Sequence, residues 1–185
     1  MNLPTSKMLC RQLDDYRRRH PDECRVVERF ESLLAMHPNC FDRDCWAGHI
    51  TGSAWLVDET GAEVLLTHHR KLDIWVQLGG HSDGDPDTPA VAQREAEEES
   101  GLVVESILPG IFDLDIHAIP ERKSDPEHLH FDVRYAFRTR SGRAYRISDE
   151  SHDLAWVPVG DLDRYSREES MLRMARKWLA RQVED

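Results

Sequence analysis

Apolar residues change their rhythm along this chain near position 49. Before it they recur at helical spacing: Leu9, Leu13 and Tyr16 share one stripe, and beyond Pro21 the set Val26, Val27, Phe30, Leu33 and Leu34 forms a second. Two helices are expected there. From His49 onward the pattern shortens to strand-like runs at 50–57, 63–68 and 74–78, and Glu59-Thr60-Gly61 makes a hairpin turn between the first two. A loop rich in Asp, Gly and Pro opens at Gly79-Gly80. The next helix begins near Thr88, expected as its N-cap with Pro89 at the first helical position, and stops at Gly101.

Beyond that helix, 103–108 and 111–118 read as strands, 120–126 as a polar loop and 128–138 as a long alternating strand. Leu129, Phe131, Val133 and Tyr135 fall on one side of it, and His128, His130, Asp132 and Arg134 on the other. Asp113, Asp115 and His117 alternate with apolar neighbours in the same way. A strand around 154–157 and an amphipathic helix carrying Met171, Leu172, Ala175, Trp178 and Leu179 close the chain. Strands interrupted by a helix, with helices at both ends, predict an α/β or α+β sandwich.

Composition narrows the function classes. With 185 residues the chain can bury a core without staples, and its net charge of -11 argues against nucleic acid or an anionic membrane as the main partner. No stretch approaches the roughly 20 apolar residues of a membrane span, and no basic flank with an apolar run marks a leader, so a cytoplasmic protein is expected. Cys10, Cys24, Cys40 and Cys45 are then reduced thiols. His37, Cys40, Cys45 and His49 offer four zinc-ligand types, but their spacing matches no familiar finger, and burial alone accounts for such cysteines.

The chemistry concentrates in one helix. Glu95, Glu98 and Glu99 stand at i, i+3 and i+4, which puts three carboxylates on one face. Like charges so close repel, and a hard cation with oxygen ligands is the natural reason to keep them together. The run Gly80-x13-Arg94-Glu95-Ala96-Glu97-Glu98-Glu99-Ser100-Gly101-Leu102 resembles the signature of the Nudix hydrolases, G-x5-E-x7-R-E-U-x-E-E-x-G-U, where U is a bulky aliphatic residue. Gly80, Arg94, Glu95, Glu98, Glu99, Gly101 and Leu102 match. Pro86 stands where the signature has its first Glu, and Ala96 is smaller than the usual aliphatic residue.

The resemblance implies an α/β fold, a Nudix-like α/β/α sandwich with a mixed sheet. Residues 1–45 are expected to form a helical extension packed on the core, and residues 46–185 the Nudix domain with its C-terminal helix. The implied activity is hydrolysis of a diphosphate linkage in a small nucleoside diphosphate-type substrate, with Mg2+ or Mn2+. Carried over by position, Glu95, Glu98, Glu99 and the Gly79 carbonyl would hold the metal, and Arg94 would position a glutamate. Asp83, Asp85 and Asp87 flank the gap at Pro86 and offer a nearby carboxylate. The general base is Glu98 or, outside the signature, Glu150 or Asp153.

Other residues support more than one reading. His128, His130 and Asp132 line the substrate cleft, lend an extra metal ligand, or form the solvated face of a strand, and His81 is similarly placed. Arg70 reads as a phosphate contact or as surface charge; Trp46, Trp55, Trp75 and Trp156 read as core or cleft wall. Two alternatives to hydrolysis come with the superfamily: a non-catalytic nucleotide-binding or sensing module, and an isoprenoid diphosphate isomerase. The glutamate trio speaks against the first, and the second needs an active-site Cys that the strands near the signature lack. The N-terminal helices offer an apolar surface for a homodimer, or equally a cap for their own domain.

Overall fold

The computed structural model describes residues 6–70, 72–122, 125–149 and 151–182. The elements are α1 (Ser6–Arg19), α2 (Cys24–Met36), β1 (His49–Val57), β2 (Glu63–His69), β3 (Ile74–Val76), β4 (Leu78–His81), α3 (Thr88–Ser100), β5 (Val104–Ser106), β6 (Asp113–Ile119), β7 (His128–Thr139), β8 (Ser151–Pro158) and α4 (Glu169–Gln182). The strands follow the order β3-β2-β1-β7-β5, with β4 on β1, β6 on β7 and β8 on β2. The fold is thus of the expected α/β class. Its chain divides into two units, one of residues 1–53, 80–92 and 108–135, the other of 54–79, 93–107 and 136–185.

In the first unit the helical stripes do what their spacing predicts. Leu9, Leu13 and Tyr16 of α1 and Val27, Phe30 and Leu33 of α2 are buried. Phe30 meets Phe131 of β7 edge-on, with ring centroids 5.2 Å apart. Arg19 donates to the Ile111 carbonyl at 2.7 Å. Strands β6 and β7 pair antiparallel from Asp113↔Arg134 to Ile119↔His128, so Asp115 faces Asp132 and His117 faces His130.

That pairing overturns the solvated reading of the polar face of β7. His128, Asp132 and Arg134 are 8%, 1% and 2% exposed. The reason is charge matching. Arg134 reaches Asp132 at 2.7 Å, Asp113 at 3.2 Å and Asp115 at 3.3 Å, while Thr51 and Ser53 of β1 donate to Asp132 at 2.9 and 2.7 Å. Polar residues enter an interior when their hydrogen bonds are met there.

The second unit begins with the expected hairpin. Gly61, at φ +76°, donates its N–H to the Asp58 carbonyl at 3.0 Å, and the Asp58 carboxylate accepts from Thr60 Oγ1 and the Glu63 N–H. Strand β2 pairs along its whole length with β8, from Glu63↔Pro158 to His69↔Ser151, which makes β8 longer than its apolar stretch at 154–157. In α4 the buried set is Met171, Met174, Ala175 and Trp178, and Leu179 is 40% exposed instead of inside. Trp178 donates to the Gly61 carbonyl at 2.8 Å, which fixes the helix face.

Smaller corrections follow from backbone pairing. The run at 103–108 forms a strand over Val104–Ser106 alone, paired with β7 at Thr139, Arg138 and Phe137. Gly79-Gly80, expected as a loop, lies within β4, with Gly79 at φ +157°, a conformation that side chains rarely adopt.

Candidate functional site

Helix α3 carries the carboxylates, and its first turn is built differently from the sequence expectation. Asp87, not Thr88, caps it: its carboxylate accepts the Ala90 N–H at 3.3 Å, and its carbonyl accepts the Val91 N–H at 2.9 Å. The Thr88 hydroxyl instead meets the Tyr135 hydroxyl at 2.7 Å, and Tyr135 donates onward to Gln12 of α1 at 2.7 Å. Beneath this turn lies Gly52 of β1. A Cβ there would sit 2.9 Å from Val91 Cγ1 and 3.0 Å from both the Ala92 nitrogen and the Thr88 carbonyl oxygen, so the helix rests directly on the strand backbone.

The C-terminal stop is as expected. Gly101, at φ +70°, donates to the Glu97 carbonyl at 2.8 Å. Between cap and stop, Val91, Ala92 and Ala96 point inward with no exposure, which is why a small residue fits at position 96. Glu99 is 7% exposed, Glu98 is exposed and Glu95 is half-buried, with Arg94 Nη2 at 3.1 Å from Glu95 Oε1. Glu97 accepts from Gln93 and from the Val104 N–H, both at 3.3 Å, and so ties the helix to β5.

The loop before α3 uses its own acids structurally. Asp83 makes a bidentate pair with Arg43, Asp85 accepts the Asp87 N–H at 2.9 Å, and Asp87 caps the helix. Gly84, at φ +83°, donates to the Phe41 carbonyl at 2.9 Å. Each of these three acids has a place in the loop's own framework.

A second concentration of chemistry lies in the first unit. His49 of β1, His81 of β4 and His130 of β7 bring one ring nitrogen each within 4.8 Å of one another. Centroid distances are 5.2 Å for His49–His81, 4.7 Å for His49–His130 and 5.0 Å for His81–His130. His128 lies 4.8 Å from His49 and 5.3 Å from His130, and His117 lies 5.4 Å from His130. Burial, reinforced by neighbouring rings or Arg43, pushes His49 and His81 down to about 4 and His130 to about 2. All three are neutral imidazoles at pH 7.

His49 is 2% exposed, and neither of its ring nitrogens has a hydrogen-bond partner; His130 Nε2 is also buried without one. The Cys45 backbone lies near enough to favour a protonated His49 slightly, but outside hydrogen-bond geometry. The grouping of His37, Cys40, Cys45 and His49 is not what the fold gathers. Among the described residues, His49 converges with His81 and His130, while burial pushes the Cys40 thiol up to about 12, away from the thiolate a metal needs.

Other predicted residues scatter. Arg70 is exposed and donates to the Ser151 carbonyl at 3.0 Å. Asp153 accepts the adjacent Leu154 N–H, and Glu150 lies outside the described residues. Trp55 is fully buried, Trp75 stacks on His68 at 5.0 Å, Arg143 covers Trp156 at 5.3 Å, and Trp46 is 42% exposed, its ring 5.5 Å from that of His128. Gly52 had no site role in the sequence pattern, and His49 was grouped there with His37, Cys40 and Cys45, not with His81 and His130. Their signal was faint: a histidine opening a buried strand, and a glycine within one.

A family model, the NUDIX domain, matches residues 49–181. A NUDIX-family hydrolase from Clostridium perfringens aligns with TM-score 0.50 and 23% identity over 70% of this chain and 95% of its own. A Caenorhabditis elegans Ap4A hydrolase in a binary complex aligns with TM-score 0.55 and 15% identity, over 74% and 98%. The NUDIX domain of Shewanella oneidensis NrtR, complexed with ADP ribose, aligns with TM-score 0.52 and 20% identity, over 84% and 98%. No curated protein matches significantly. At these identities the structural likenesses speak to the fold.

Proposed function

The chain belongs to the Nudix family, and we propose that it is a pyrophosphohydrolase that cleaves the diphosphate linkage of a small nucleoside diphosphate-type substrate with Mg2+ or Mn2+. One observation supports the proposal: Glu95, Glu98 and Glu99 stand at i, i+3 and i+4 of the helix α3, half-buried, exposed and buried in turn, with Arg94 against Glu95. An all-oxygen donor set that runs from interior to solvent fits a hard cation, and Gly79 would add its carbonyl. When bound, such an ion neutralises diphosphate charge and lowers the pKa of a water.

The side chains have separable tasks in this reading. Glu98, exposed, is placed to take a proton from water, with Glu150 the further candidate for that role. Glu99 and Glu95 hold the metal, Arg94 keeps Glu95 in place, and Arg70 offers a cation for a phosphate. Four free thiols suit a cytoplasmic setting, and no described helix is long and apolar enough to cross a membrane. Residues 1–45 form the extension of the 46–185 domain in the same reading.

A substrate screen tests it: nucleoside triphosphates, nucleotide sugars, dinucleoside polyphosphates and ADP-ribose, each with Mg2+ or Mn2+. The last two are included because related folds are an Ap4A hydrolase and an ADP-ribose complex. Glu98→Gln and Glu99→Gln should each lower kcat by about 100-fold or more against the best substrate with the circular dichroism unchanged. Full activity in both variants refutes the assignment; metal-dependent binding without product would point to a sensing module.

A further inference from the structure

We propose that His49, His81 and His130 form a binding site for a transition ion of the zinc class, distinct in donor chemistry from the carboxylates of α3. The rings come from three strands, β1, β4 and β7, and their ligand atoms lie within 4.8 Å of one another. This convergence is one observation. The second is that His49, 2% exposed, leaves both ring nitrogens without a hydrogen bond, as His130 leaves Nε2.

A neutral imidazole has one N–H to give and one lone pair to fill. Three such rings meeting in an interior would ordinarily settle this by N–H···N bonds among themselves, yet no such bond joins His49 to a neighbour. Ring nitrogens converging from three strands, those of His49 unpartnered, are a donor set for a cation. Imidazole nitrogen selects Zn2+, Co2+ or Ni2+ over the Mg2+ that carboxylates prefer. Zn–N bonds of about 2.0–2.1 Å put tetrahedral nitrogens about 3.3 Å apart, a contraction that rotation about χ1 and χ2 supplies.

Beside these rings, His117, opposite His130, meets the Asp115 carboxylate at 3.1 Å. His128, its Nδ1 fixed on the Pro126 carbonyl at 2.8 Å, is the adjacent ring for a fourth position. His81 is the last residue of β4, so the ion would pin the start of the 82–87 loop to β1 and β7.

The test uses the full chain stripped with EDTA, loaded with one equivalent of Zn2+ or Co2+ and desalted. About one ion per chain should remain by mass spectrometry, with Co2+ showing the visible bands of a four-coordinate nitrogen site. The ion should persist in the Glu95→Gln/Glu98→Gln double variant, and His81→Gln should weaken Zn2+ at least tenfold. Because His49→Phe or His130→Leu risks misfolding, zinc-edge X-ray absorption of the unmutated chain provides a variant-free measure: imidazole scattering supports the site. Retention of no ion, an oxygen-only shell, or equal retention in His81→Gln overturns it.

Discussion

At the scale of single residues, two positions govern stability. Gly52→Ala would place a methyl 3.0 Å from backbone atoms of Thr88 and Ala92, and backbone cannot swing aside as a side-chain tip can. The expected cost is that of overpacking, about 1–3 kcal/mol, seen as a lower midpoint in thermal or urea unfolding. An unchanged midpoint would mean that the helix lifts off the strand freely. Arg134 presents a different problem. Its Nε, Nη1 and Nη2 address three separate carboxylates, with Asp113 and Asp132 no more than 1% exposed. Arg134→Met removes the main countercharge from buried acids, and about 3–5 kcal/mol should be lost. Lysine, with one compact ammonium, should rescue only part of that loss, because it cannot span three acceptors.

At the scale of elements, what could be read in advance was what depends on local spacing. The stripes of α1 and α2, the hairpin at Asp58–Gly61 and the carboxylate face of α3 all follow from side-chain period and turn chemistry, so they stood in the sequence. The face of β7 did not, because alternation assigns residues to sides and says nothing of what covers a side. The complementary pairs Asp113-x-Asp115 and Asp132-x-Arg134 held a clue, readable once β6 and β7 are paired. Likewise His49, His81 and His130 are far apart in the chain, and strand order alone brings them together. The cap of α3 was missed by one residue, since Thr88 and Asp87 are both good caps and the choice turns on Tyr135 claiming the threonine. Asp87→Ala should therefore destabilise the protein by about 1 kcal/mol, whereas Thr88→Ala should leave the helix start intact and instead disturb the contact with Tyr135. Comparing the helix-start amide exchange of the two variants separates these outcomes.

At the scale of the whole molecule, two electrostatic effects oppose each other on acidification. A net charge of -11 at pH 7 means that protonating exposed carboxylates relieves repulsion, which is weak between surface charges in physiological salt. The imidazole cluster works the other way. His49 and His81 titrate at about 4 and His130 at about 2 in the fold, against an ordinary value of 6.5. Their folded pKa values lie below the unfolded one, so as pH falls protons bind the unfolded chain first. Their contribution is fully present above pH 6.5 and is lost progressively as pH falls to about 4 for His49 and His81 and to about 2 for His130. Of the groups facing the cluster, Arg43 and Asp83 oppose each other, and the direction for each ring stays downward. All three rings act in the same direction, and the surface term opposing them is screened. The EDTA-stripped protein should therefore lose urea midpoint steadily between pH 6.5 and pH 4. His81→Gln should flatten that slope, because a side chain that does not titrate has no proton to bind; a slope equal to that of the unmutated chain would assign the acid lability to groups outside the cluster.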